Sequence, residues 1–410
     1  MPVVYDKSKE INISFRDIYP FRTTLGIFGL YRYPAKFIPQ VIMYVLKEYG
    51  KPSDVVLDPF AGQGTVGFVC RLLGFDYEVW DLNPMLSFLH SFSTIKELPK
   101  SPVEALVKDL RVKRGIFLPE WSNLTYWYPE EFLETLGSIA YNISGLNEVE
   151  KKIFTMAFLR VARVFSYADE KVHKLYKSKK AIAKVKKMLS SNWNELIFGM
   201  MERETNNVIA KIGEYLQLKP HDVNSVVRAG VDSLTMELDR FVDILVTSPP
   251  YLQAQEYIRS TKLELYWLGY SEKEIKKLSK KEIPYRKDIP NFNVKSETFY
   301  QLEDVIPETL KGVYRAYFKA VISTLERLSF KTRKYMFVFV GPVHLSEVRV
   351  PIDRIIIEHF ESLGWHWVHT LVDKVKGRTM FNTKDRKNPA TGKQNPRMET
   401  EHLVVLKNMR

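Results

Sequence analysis

The sequence predicts an α/β protein: a doubly wound, mostly parallel seven-stranded sheet with a large helical insertion. Two observations predict the sheet and its interruption. Apolar runs of strand length end in a polar or glycine-rich turn and lead into a helical pattern, at 54–73 and again at 241–269. Between them, residues 101–220 show long helical periodicity with few strand candidates. The third observation is size: 410 residues, 45% of them hydrophobic, suffice for two domains or for one large domain carrying an insertion. The divisions expected are 1–100, an N-terminal arm with the first half of the sheet; 101–222, the insertion; and 223–410, the second half with a basic loop at 374–397.

Charge narrows the class of partner. With 61 Lys and Arg against 48 Asp and Glu, the net charge is +13, which suits a polyanion such as nucleic acid. The plainer reading is a generally lysine-rich surface. The one cysteine, Cys70, sits in an apolar helical pattern and reads as a buried small hydrophobe that forms no internal disulfide. The eight histidines are scattered, so no metal site is expected. No secretion-type leader and no apolar run of membrane-spanning length is seen, and a cytoplasmic protein without a membrane partner is expected.

Residues 1–30 are weakly patterned and predict an irregular arm with one short strand at most. Tyr33-Pro34-Ala35-Lys36-Phe37 then leads into a helix whose first position suits Pro39. Val55-Val56-Leu57-Asp58 is an apolar strand ending in an acid. It is followed by Pro59-Phe60-Ala61-Gly62-Gln63-Gly64-Thr65 and a helix closed by Gly74. Strand, Gly-x-Gly turn and helix make a nucleotide-type site, because glycines admit a ligand to the backbone and the helix start offers free N–H groups. The turn reads as lacking the full six-residue dinucleotide spacing, and the Lys-Ser/Thr of a phosphate loop is absent, which disfavours NAD and ATP. A second strand at 77–80 ends at Asp81, placed either to take a ribose diol or to cap a helix.

In the helical block, 149–165 reads as one apolar helix. The stretch 171–187 is strongly basic, with Lys171, Lys174, Lys177, Lys179 and Lys180 around Tyr176. Cations interleaved with aromatics suit a nucleic-acid groove; a solvated helix face is the plainer alternative. The α/β pattern resumes with a short strand from 225 that runs toward Asp232. The apolar run 241–246 then enters Thr247-Ser248-Pro249-Pro250-Tyr251. Two prolines make that turn stiff. Its hydroxyl and carbonyls can accept from an –NH2 group, and Tyr251 offers a ring on which a base can stack. Taken alone, it is also consistent with a mere strand-ending turn. A helix is expected over 255–269, a polar loop over 270–300, and then helices at 313–328 and 352–363 with strands at 335–340, 365–372 and 401–406. The loop 374–397 supplies Arg378, Lys384, Arg386 and Lys387 as candidate phosphate contacts.

The segments Asp58-Pro59-Phe60-Ala61-Gly62-Gln63-Gly64-Thr65 and Thr247-Ser248-Pro249-Pro250-Tyr251 together resemble the cofactor and catalytic motifs of the amino-methylating DNA methyltransferases. The resemblance covers 31–90 and 224–406 and leaves the helical block outside. It implies a Rossmann-like methyltransferase fold and S-adenosylmethionine as cofactor, held by Tyr33, Pro34, Lys36, Asp58, Phe60, Gly62, Gly64, Thr65, Asp81 and Asp232. It implies catalysis by Ser248, Pro249, Pro250 and Tyr251 on a base flipped out of duplex DNA. Serine before Pro-Pro-Tyr is similar to the cytosine-N4 enzymes, whereas aspartate there is more typical of adenine-N6 enzymes. RNA base-amine methylation, adenine-N6 methylation of DNA, and a nucleic-acid-binding protein on an inert methyltransferase fold are the alternatives carried forward.

Overall fold

The computed structural model describes residues 5–34, 36–172, 174–252, 256–374 and 399–410. Its strands are β1 (Glu10–Ile13), β2 (Val55–Asp58), β3 (Asp76–Asp81), β4 (Ser225–Ala229), β5 (Val242–Thr247), β6 (Thr332–Val340), β7 (Val343–Leu345), β8 (Val348–Val350), β9 (Trp365–Lys374) and β10 (Thr400–Asn408). Eight of them form one sheet in the order β1-β9-β10-β6-β5-β2-β3-β4, and β7 pairs with β8 as a separate hairpin. Every pairing in the large sheet is parallel except those of β10, which is antiparallel to both β6 and β9.

The sheet therefore has one strand more than the seven expected. The addition is β1, from the arm, which pairs with the outer edge of β9 and sets Glu10 opposite Thr370. None of its four residues is fully buried, so no apolar run marks it in the sequence. The central strand behaves oppositely. All six residues of β5 are buried, as a strand must be when parallel neighbours flank it and helices cover both faces.

Two apolar clusters fill those faces. One joins the sheet to the helices Pro39–Tyr49 and Thr65–Leu73 and to the insertion; the other joins it to Glu308–Ser329 and Ile352–Glu361. The insertion runs between β3 and β4, with Glu130–Ile143, Glu148–Val164, Lys179–Leu189 and Trp193–Leu216 as its longer helices. Its Phe154, Ile197 and Met201 belong to the same cluster as Val56 and Val79 of the sheet.

One expectation needs correction. The segment 270–300, expected as a loop, contains the helix Glu272–Ser279, started by a reciprocal capping box between Ser271 and Glu274. It also contains the first turn of Glu297–Val305, capped by Ser296. Of the basic loop 374–397, Lys374 closes β9; Arg378, Lys384, Arg386 and Lys387 lie outside the described residues. No helix among the described residues is long and apolar enough to cross a membrane.

From β2 the chain proceeds outward to β3 and β4, then crosses back to β5 on the other side of β2 and continues to β6. The strand order thus reverses between β2 and β5. In open α/β sheets, ligands bind outside the carboxyl ends of the strands at such a reversal.

Candidate active site

The register places Leu57 beside Leu245, so Asp58 and Thr247 leave the sheet as neighbours. The Thr247 hydroxyl donates to Asp58 Oδ1 at 2.6 Å, and the Phe60 N–H donates to the same oxygen at 3.0 Å. Both side chains are fully buried. Asp58 is thus a weld between the two turns and not a wall of the cleft they border. Burial pushes its carboxyl up to about 7, against the downward pull of those two hydrogen bonds.

The glycine turn needs its glycines. Gly62 has φ +57° and Gly64 φ +91°, where a side chain is strained. A Cβ on Gly62 would also lie 3.1 Å from the Tyr33 ring. Gly67, passed over in the sequence, completes a G-x-G-x-x-G spacing with them; a Cβ there would meet the Tyr77 ring at 2.7 Å, so it lets the helix Thr65–Leu73 close on β3. That close helix–strand approach is the third glycine's role in nucleotide-type turns.

The cleft beside this turn is lined by Tyr33, Lys36, Phe60, Gly62, Thr65, Asp81, Asp232, Ser248 and Pro250 among the residues singled out in the sequence. It is partly open to solvent, with a cavity volume of about 90 Å³. Asp81 accepts from the Gly62 N–H and the Asn83 N–H, both at 2.7 Å, and burial pushes it up to about 7. Asp232 is gripped by Arg286 through two hydrogen bonds of 2.9 and 3.0 Å. A carboxylate keeps lone pairs beyond two such bonds. Lys36 donates to the Thr23 carbonyl at 3.3 Å, and burial pushes its ammonium down to about 8.

Pro34, Asp58, Gly64, Pro249 and Tyr251 do not line the cleft. Pro249 is buried, and the Tyr251 hydroxyl donates to Glu401 Oε1 of β10 at 3.1 Å. An aromatic wall is supplied instead by Tyr257, stacked on Tyr33 with ring centres 6.3 Å apart. Sequence reading missed Tyr257, Asn83, Lys281 and Glu282, all of which line the cleft. Glu282 accepts from the Ile258 N–H at 2.8 Å, at the start of the helix Tyr257–Trp267, and burial pushes it up to about 7. The capping box at Ser271 and Glu274 was the available signal that 270–300 is structured and so able to bring Lys281 and Glu282 to a site.

The basic stretch is not one helix face. Residues up to Ser178 form a loop tied by an Ala168–Lys177 bridge, and the helix begins at Lys179. Lys171, Lys179 and Lys180 are exposed, Lys174 pairs with Glu256, and Lys177 lies over the rings of Tyr126 and Tyr167 at 4.2 and 4.3 Å.

Fold and cleft together define a nucleotide-type site at the strand reversal of an open α/β sheet. A DNA methylase family, of the N6/N4 kind, matches residues 4–84. The type II methyltransferase M.BsoBI of Geobacillus stearothermophilus is 23% identical over 304 residues, 65% of this chain and 57% of that protein. The type II methyltransferase M.MvaI of Kocuria varians is 24% identical over 420 residues, 92% of this chain and 90% of that protein. The chain thus spans little more than half the length of the first relative and most of the second. Among solved structures, the rRNA methyltransferase AviRa of Streptomyces viridochromogenes overlaps 96% of each chain at 9% identity, but its TM-score of 0.31 carries no inference. The chain is thus similar to the amino-methylating N4/N6 DNA methyltransferases. S-adenosylmethionine is the cofactor of that family.

Proposed function

We propose that this protein transfers a methyl group from S-adenosylmethionine to the exocyclic amine of a base in DNA, cytosine N4 being the target. The observation that supports this reading best is the Thr247–Asp58 hydrogen bond of 2.6 Å. It ties the serine turn to the glycine turn, so that Ser248 and Gly62 border one cleft. Serine, rather than aspartate, before Pro249-Pro250-Tyr251 favours cytosine.

The residues present suit the cofactor. Asp81 and Asp232 are acceptors for ribose hydroxyls and an adenine amine, Phe60 and Ile283 are apolar walls for a base, and the Lys36 ammonium suits a carboxylate near Tyr33. When bound, S-adenosylmethionine supplies an electrophilic methyl group. The chain's own work is positioning. An exocyclic amine is a poor nucleophile because its lone pair is delocalised into the ring. Ser248 Oγ accepts one of its hydrogens, draws the nitrogen toward tetrahedral geometry and frees the lone pair for in-line attack. The proton shed by the nitrogen leaves along the Ser248 hydrogen bond toward solvent. The base must first leave the duplex stack to reach this depth.

The test is to incubate unmethylated DNA with the protein and S-adenosylmethionine, digest it to nucleosides and identify the product by mass spectrometry. N4-methylcytosine is expected. N6-methyladenine overturns the base assignment, and methylation of RNA alone overturns the DNA assignment.

A further inference from the structure

A second groove opens beside the cleft, and Glu282 lines both. One wall comes from the insertion, with Trp121, Tyr126 and Trp127. The other comes from the helix Tyr257–Trp267, with Arg259 and Lys262, and from Tyr285. The same helix therefore faces the cleft with Tyr257 and Ile258 and the groove with its cations.

Three features of this groove are unexplained by packing. Tyr285 leaves 43% of its surface in water, and Tyr126 leaves 54% even with Lys177 over one part of its ring at 4.2 Å. Trp121 is 7% exposed, yet its indole N–H has no hydrogen-bond partner among the described residues; a buried donor left unpaired is costly. Lys262 lies 5.6 Å from the centre of the Trp121 ring and forms no ion pair among the described residues. The groove is not purely cationic: Glu256 pairs with Arg259 and Lys174, and Glu282 holds the helix start. Exposed rings, an unpaired donor and a cation in no direct ion pair among the described residues together call for a ligand with flat faces, acceptor atoms and negative charge.

We propose that this groove seats the nucleotides next to the target base in the same DNA strand, with bases on Tyr126 and Tyr285 and a phosphate on Lys262. This rests on the methyl-transfer reading above and extends it: the insertion contributes to substrate binding through stacking rings as well as through its lysine-rich stretch.

The test measures methyl transfer to unmethylated genomic DNA, at saturating S-adenosylmethionine, for the wild type and for Tyr126→Ala, Tyr285→Ala and Lys262→Ala. Each lost ring is expected to raise KM for DNA by about 5- to 100-fold, the effect of losing one stacked base. Lys262→Ala is expected to flatten the logarithmic salt dependence of DNA affinity by about 0.9, the contribution of one phosphate contact. Cofactor affinity by calorimetry stays at the wild-type value, which shows that the variants are folded. Tyr141→Ala, an exposed ring of the insertion outside the groove, leaves KM unchanged. An active wild type whose three variants keep its KM and salt slope overturns the groove alone. A wild type that methylates no DNA overturns the parent reading, and the groove with it.

Discussion

Replacing Thr247 with valine removes one hydroxyl and leaves the shape of a fully buried side chain nearly unchanged. The hydroxyl donates to Asp58 at 2.6 Å, and among the described residues the other donor to that oxygen is the Phe60 N–H at 3.0 Å. A hydrogen bond to a charged acceptor contributes about 1.5–3 kcal/mol, and one to a neutral acceptor about 0.5–1.5 kcal/mol. Asp58 is held up to about 7, so it is mostly neutral on the acid side of that value and mostly charged on the alkaline side. Thr247 lowers that value by favouring the charged form; removing it raises the value further. The variant should therefore lose about 1 kcal/mol at about pH 6 and about 2–3 kcal/mol at about pH 8, read from urea unfolding midpoints. Because the bond ties both turns, cofactor affinity by calorimetry and single-turnover methyl transfer should fall together. A loss of stability that does not change with pH, or a destabilised variant with wild-type cofactor affinity and rate, would refute the idea that this bond aligns the site.

Ser248→Ala should lower single-turnover methyl transfer by about 10- to 100-fold, the cost of one well-placed acceptor, and leave cofactor affinity intact; equal losses in both would make Ser248 structural. Gly62→Ala forces a side chain into φ +57° against the Tyr33 ring, a strain of about 1–2 kcal/mol. It should weaken cofactor binding by about tenfold, and wild-type binding would show that the turn tolerates a side chain. Asp81 is raised from 3.8 to about 7, so the folded form holds a proton that the unfolded chain has lost. Its contribution is complete below 3.8 and is lost as pH rises through about 7. Thermal unfolding of the cofactor-free protein between these values should therefore depend less on pH in Asp81→Asn; an unchanged slope would place the titration elsewhere.

The core strands were legible because burial on both faces writes itself as an unbroken apolar run, as in 242–247. The glycine turn was legible because only glycine tolerates the backbone at 62 and 64. The edge strand β1 left no such mark, since four half-exposed residues obey no period. The helix Glu272–Ser279 buries one residue, Ile275, so polarity concealed it and only its cap announced it. Motifs placed Ser248, Asp81 and Gly62 on the cleft, but they could not show that Asp58 turns inward to Thr247 or that Tyr251 turns to Glu401. Those directions are set by contacts 189 and 150 residues distant along the chain. Tyr257 and Glu282 were invisible for the same reason: their positions depend on a helix start held by a carboxyl 24 residues downstream.

The insertion shares one continuous apolar core with the sheet. Phe158 meets Trp267 edge-on at 5.0 Å, the Trp267 indole donates to Tyr128, and Arg163 is forked onto the buried Glu264 at 2.7 and 3.0 Å. Cutting out 101–222 would bare the apolar side of the helix Tyr257–Trp267 to water and leave Glu264 charged without its cation. An exchanged segment here would have to rebuild these contacts to keep the helix Tyr257–Trp267 covered. A new sequence preference is more readily engineered through single side chains at the surface, with the shared interior left alone.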